Sequence, residues 1–149
     1  MHELMNTRRN TMHHHDYILF KTKGELDIKN ITDEVNSIVE KSGIKFGTAT
    51  VFAPGATAAI SCIEYEPGLL QDFPDALDRL FPREIDYAHH LHWDDGNGYS
   101  HVRATMLGPS LVIPVIDGVL PLGRWQQIIF IDLDKPARDR KVIVQVMGE

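Results

Sequence analysis

The chain has a single cysteine, Cys62, so an internal disulfide framework is excluded. No apolar run approaches the roughly 20 residues that a membrane-crossing helix requires. The N-terminus also lacks the apolar stretch of a signal peptide, so a soluble cytoplasmic protein with no membrane partner is expected. Dense lysine or arginine runs are missing as well. With a formal charge of −6 and a pI near 5.7, the chain lacks the clustered positive charge that displaces counterions from nucleic acid, and no nucleic-acid partner is expected. Repeats and low-complexity tracts are absent, and linkers are absent after the first fifteen residues. What remains is 149 residues, 43% of them hydrophobic, enough for one domain with a real core and too few for two.

Residues 1–15 show no hydrophobic period and read as a flexible lead, with the domain proper over 16–149. His13, His14 and His15 fall in that lead; neighbouring side chains in extended backbone point to opposite faces, which argues against a joint ligand role. Residues 16–22 read as a strand that ends at Lys23-Gly24. From Ile31 to Lys41, apolar residues at 31, 35, 38 and 39 mark one helical face, with Thr32 as N-cap, Asp33 and Glu34 in the first turn and Gly43 past the end. Residues 46–53 and 57–64, broken by Pro54-Gly55, read as a hairpin-like strand pair. Residues 67–81 have leucines and Phe73 at helical spacing, but Pro74 should divide them into two short pieces, with Asp72 capping the second. Beyond residue 101, the segments 102–107, 110–116, 125–133 and 142–147 all favour strand. The sum is an α+β domain of antiparallel sheet with two helical regions.

The stretch from Tyr87 to His101 gathers four of the eight histidines with Asp94, Asp95, Asn97 and two glycines. Its Asp-Asp-Gly-Asn-Gly centre must turn, so histidines on either side can approach one another. If residues 87–93 are extended, His89 shares a face with Tyr87 and Trp93, whereas His90 and His92 lie opposite. Neutral imidazoles beside carboxylates suit a divalent cation such as zinc, and protonated ones suit phosphate. A polar surface loop held by histidine hydrogen bonds is the alternative. Cys62 reads as a small buried hydrophobe, because nothing near it in sequence would depress its pKa. Glu64 is either a strand-end carboxylate reaching water or a site residue.

The run from Gly108 to Gln127, Gly-Pro-Ser-Leu-Val-Ile-Pro-Val-Ile-Asp-Gly-Val-Leu-Pro-Leu-Gly-Arg-Trp-Gln-Gln, closely resembles the signature of the YjbQ-like family (uncharacterised protein family 0047), also called secondary thiamine-phosphate synthases. The Ile31-Thr32-Asp33-Glu34 helix start, the Thr57 strand reaching Glu64, Tyr87-Ala88-His89, Gly96-Asn97-Gly98, His101 and the closing Arg140 to Val144 extend the resemblance over nearly all of the chain past the lead. It implies a two-sheet β-sandwich that associates as a homotrimer around a threefold axis. It also implies a pocket to which His89, Asn97, His101, Trp125 and Gln126 belong. The implied activity is weak coupling of hydroxymethylpyrimidine pyrophosphate with thiazole phosphate to give thiamine phosphate. The chain departs from the family pattern at Gly55-Ala56, where many relatives carry His-Thr, and at Ile63, where many carry Asn. One usual pocket histidine is therefore missing, and His90 and His92 are the candidate substitutes.

In that reaction the protein must neutralise developing phosphate charge and keep water from a reactive cation. The expected roles are His89 and His101 on phosphate or on a divalent metal (Mg²⁺ or Zn²⁺), with Glu64 as metal ligand or general base. Asn97 and Gln126 would orient by hydrogen bonds, Trp125 would stack on a flat ring, and Arg103 is a candidate anion support. For Trp125 the competing reading is a core or interface aromatic. Two further functions share these residues: a trimeric protein that binds a metal or phosphometabolite without significant turnover, and a metal-dependent hydrolase.

Overall fold

The computed structural model describes residues 10–149. In chain order the elements are β1 (Met12–Lys21), β2 (Asp27–Asn30), α1 (Thr32–Ser42), β3 (Phe46–Phe52), β4 (Ala58–Ile63), α2 (Leu69–Leu80), α3 (Gly98–Leu107), β5 (Ser110–Ile116), β6 (Gln127–Asp132) and β7 (Asp139–Gly148). They form an α+β fold of two antiparallel sheets, a four-stranded sheet ordered β1-β7-β3-β5 and a three-stranded sheet ordered β2-β6-β4. The alternation expected of half-covered strands is clear in β7, where Val142, Val144 and Val146 are buried and Lys141 and Met147 are exposed. These valines meet Ile128 and Phe130 of β6, Ala58 and Ile60 of β4, and Val35 and Ile38 of α1. Each fully buried aliphatic side chain of this kind contributes about 1.5–3 kcal/mol.

The three-stranded sheet is covered on its other side too. Ile28, Ala59, Ile129 and Ile131 pack with Leu77 of α2 and Ala104 of α3. Two covered faces explain why residues 128–132 of β6 are buried without interruption. The same demand accounts for the first difference from expectation: β3 and β4 are not paired. β4 pairs only with β6, and residues 53–57 carry the chain from one sheet to the other. Apolar character on both sides of that corner cannot distinguish a hairpin from a sheet-to-sheet crossing.

Other elements differ in kind. Residues 102–107, expected as strand, belong to α3, whose buried positions 99, 100, 103 and 104 have helical spacing; buried Arg103 conceals the pattern. Pro74 does not split α2. It sits in the second turn and removes one backbone donor, and the helix runs on as one piece. There are thus three α-helices among the described residues, where two helical regions were expected. β1 begins at Met12, ahead of the expected domain start, so His13 to His15 lie in sheet; residues 1–9 of the expected lead fall outside the described residues. At α1, Asn30 performs the capping. Its Oδ1 accepts from Thr32 N at 3.1 Å, while Thr32 Oγ1 accepts from Ile128 N at 2.9 Å and ties the helix to β6. The short polar strand β2 was not foreseen.

β3 and β7 approach closely where Gly47 faces Gly148. A Cβ on Gly47 would lie 1.9 Å from the Met147 carbonyl oxygen and 2.8 Å from Gly148 Cα, contacts with backbone that no rotamer change relieves. Gly47→Ala is expected to cost about 3 kcal/mol. For a domain of this size that lowers Tm by roughly 6–12 °C, measurable by calorimetry; an unchanged Tm would refute the argument.

Candidate functional site: a histidine pair beside a small-residue cavity

Two local structures build the site. Ala88–Leu91 form a single 3-10 turn, closed by His92 N donating to His89 O at 3.1 Å. The chain then bends through Gly96, whose φ of 62° a glycine adopts without strain, and enters α3. This bend brings His89 and His101 together with ring centroids 4.6 Å apart and planes at 54°. The approach uses a 3-10 turn and the first turn of a helix, not the extended strand considered above. His89 Nε2 is sealed from solvent without a hydrogen-bond partner, and Asp95 Oδ1 lies 3.5 Å from it. Asp95 entered the sequence reading only as half of a carboxylate pair.

His90 is committed elsewhere. Its Nε2 accepts from Gly98 N at 3.2 Å, satisfying one of the free donors at the start of α3. That nitrogen is thus committed to the start of α3 and does not face the cavity at Gly55 as a free group. Among the neighbouring groups, Lys135 is one that sequence distance hid: its Nζ lies against Gly96, 3.1 Å from where a Cβ would sit.

Asn97 is buried and donates through Nδ2 to Asp134 Oδ1 at 3.3 Å, while its own Oδ1 has no partner. Asp134 also receives Arg138 Nε at 2.7 Å and Thr57 Oγ1 at 3.3 Å. Burial pushes the Asp134 carboxyl up. Hydrogen bonds from Asn97, Arg138 and the Lys135 amide, with the Arg138 charge, outweigh it and hold the group below its ordinary value of 3.8. A depressed pKa means that the folded state gains from the carboxylate above the ordinary value and loses that gain as pH falls through the folded value. We expect the start of α3 to loosen below about pH 4, and Asp134→Asn to flatten the acid limb of a Tm profile taken from about pH 2 to pH 6. An unaltered acid limb would count against this role.

His101 faces a cavity of about 340 Å³ whose wall is Gly55, Ala56, Ala58 and Ala104, with Thr105 beside it. Thr105 Oγ1 donates to His101 O at 2.8 Å and so takes part in the backbone of α3. A surface groove of about 480 Å³ between β1 and α1 carries Asp16, Asp33, Glu34 and Lys41 and includes neither His89 nor His101.

The other expected site residues stand at the far end of β4. Ala58 pairs with Asp132 and Ile63 with Gln127, so Glu64 and Gln126 are beyond one end of the strand and the His101 cavity adjoins the other. Five residue steps separate those ends by about 17 Å. Trp125 is 61% exposed, with the Arg124 guanidinium 4.7 Å over its ring. Gln126 Oε1 accepts from Gly123 N at 3.0 Å, holding its own turn, and the side chain also meets the Cys62 thiol. Burial pushes that thiol up, against the opposing Gln126 hydrogen bond, so Cys62 stays protonated near neutral pH. No cluster of three or more His, Cys, Asp or Glu side chains able to hold a metal occurs among the described residues. One chain thus does not assemble His89, His101 and Glu64 as a ligand set. Arg103 points to no cavity; it is fully buried in ion pairs with Asp78 and Glu25.

The architecture is a two-sheet α+β domain with a histidine pair at the entry to α3. The chain belongs to the family described as UPF0047 protein YjbQ-like, whose sequence model matches residues 16–149. A UPF0047 protein of Methanothermobacter thermautotrophicus is 39% identical over 87% of this chain and 88% of its own length. One of Archaeoglobus fulgidus is 38% identical over 87% and 98%. Among solved structures, a YbjQ-like protein of unknown function from Sulfolobus solfataricus superposes with a TM-score of 0.89 at 36% identity, covering 94% of this chain and all of the other. An uncharacterised family member from Clostridium acetobutylicum gives 0.80 at 36% identity, over 88% and 98%.

Proposed function

We propose that the protein is a transferase of the secondary thiamine-phosphate synthase type, weakly joining hydroxymethylpyrimidine pyrophosphate to thiazole phosphate, and that its site is completed between chains of a homotrimer. The observation that carries this is the His89–His101 pair, with His101 on a cavity of small residues and Lys135 against the Gly96 bend that leads into α3. Those groups suit a pyrophosphate, because an imidazolium and an ammonium oppose its charge. In the reaction the C–O bond to pyrophosphate breaks with its electron pair leaving on oxygen, and the thiazole nitrogen supplies the pair for the new C–N bond.

The trimer supplies what one chain lacks. Glu64, Trp125 and Gln126 stand about 17 Å along β4 from His101, so a common pocket needs Trp125 and Gln126 from a neighbouring chain. Exposed apolar side chains on the open side of the four-stranded sheet, Phe46, Phe52, Val112 and Ile116, offer a contact surface for such an assembly.

A second reading has its own observation. The sealed, partnerless His89 Nε2, with His101 and Asp95 beside it, has a free donor for a divalent metal such as Zn²⁺ or Mg²⁺. That reading makes the protein a metal- or phosphometabolite-binding protein without turnover, or a metal-dependent hydrolase. Metal analysis of the purified protein, followed by incubation with the two precursors, separates the readings. Product that is lost in His101→Ala supports the synthase; bound metal with no product rejects it in favour of binding.

A further inference from the structure

We propose that β1 carries a separate copper-selective site, formed by His13 and His15 with Met147 of β7. In the ten-residue strand, His13 and His15 stand on the same solvent-facing side, and His14 points to the opposite one. The two ring centroids are 5.6 Å apart with planes at 40°. Two imidazoles on one tetrahedral ion, with metal–nitrogen bonds of about 2.0–2.1 Å, set ring centres about 5 Å apart. A small rotation about the side-chain bonds is all that chelation requires. β1 is hydrogen-bonded to β7 along its whole length, so the backbone that spaces the two rings is already ordered.

The third donor comes from across the sheet. His13 pairs directly with Met147, and His15 with Gln145, which puts the Met147 thioether on the same face as both rings. Met147 is 44% exposed, and among the described residues its sulfur is engaged by Gln145 Nε2 at 3.3 Å, a weak contact that an ion can displace. Imidazole accepts zinc, nickel and copper alike, whereas a thioether selects for copper, above all Cu(I). The site is distinct from the His89–His101 pair. It shares the open side of the four-stranded sheet with Phe46 and Phe52 but stands at the β1–β7 end, opposite β5 in the sheet order, and its test reads metal binding, not product formation.

Titration with CuCl₂, followed by calorimetry and by amide NMR, tests the site. Paramagnetic Cu²⁺ should broaden the signals of residues 13–17 and 145–147 at one ion per chain. His13→Ala or His15→Ala should weaken that binding on the order of tenfold or more and abolish the broadening, while His14→Gln leaves both intact. Met147→Leu should lower affinity for Cu(I), measured by competition with a chromophoric chelator, with no change for Zn²⁺. Broadening confined to the surroundings of His89 and His101, or equal affinity in the His13→Ala and His15→Ala chains, overturns the proposal. Equal Cu(I) loss in His14→Gln would do the same.

Discussion

Mixing His101→Ala chains with Trp125→Ala chains should restore product formation that neither variant shows alone. The two residues adjoin opposite ends of β4 in one chain, so a site using both must draw them from neighbours. In the proposed homotrimer each variant then lacks one half of all its sites, and removing His101, a group in charge stabilisation, is expected to cost at least about 100-fold. In a cyclic trimer containing both kinds of chain, one of the three interfaces joins an intact His101 to an intact Trp125. With equal, random mixing, about three quarters of the trimers are mixed, so about one quarter of wild-type activity should return. Denaturing and refolding the two variants together, with an assay for thiamine phosphate, measures this directly. If co-refolded chains stay inactive while each variant remains folded and trimeric, the composite site is wrong.

Arg103→Ala should cause the largest loss of stability from a single side chain outside the sheets. The guanidinium has no solvent exposure. Its Nη2 donates to Asp78 Oδ1 at 2.8 Å and to Phe81 O at 2.7 Å, its Nη1 lies 3.5 Å from Glu25 Oε1, and the group stacks 4.9 Å from the Tyr99 ring centre. It joins the end of α2, the segment after β1 and the face of α3. Breaking such a buried pair from one side costs about 3–5 kcal/mol. The lower end applies here, because Glu25 and Asp78 are 21% and 44% exposed and Arg83 still holds both. A loss near 3 kcal/mol corresponds to a Tm decrease of roughly 6–12 °C. Arg103→Met, which keeps the packing of the stem, should recover part of it. A loss under about 1 kcal/mol by urea unfolding would show that the network is dispensable. Tyr99 reports on the same network. Burial, and then its hydrogen bond to Glu25, push the phenol up to about 12, so the neutral ring is favoured and this contribution fades only as pH climbs above its ordinary value of 10.

α1 was legible because its apolar spacing, first-turn acids and closing Gly43 agree. The strands of the four-stranded sheet were legible because one side faces water, which imposes alternation. α3 was not, since its buried positions include an arginine, a serine and a glycine, and a hydrophobic period cannot register them. β2, with the sequence Asp-Ile-Lys-Asn, has one apolar residue and is a strand only because β6 pairs with it. For the site, the glycine-bearing bend foretold the approach of His89 to His101. The distance from His101 to Trp125 was illegible, because it depends on which way β4 runs beneath α3. Nor did any local pattern link Asn97 to Asp134, a bond spanning 37 positions.

The wall of the cavity also limits which side chains it can carry. Gly55 has φ +115°, a conformation that side-chain-bearing residues rarely adopt. An imidazole placed there by one exchange would strain the main chain before it added any ligand. Any side chain at that position must first reshape the corner between the two sheets. Adaptation of the binding site is left to Ala56, whose neighbour in sequence holds the turn and whose own side chain is free to grow.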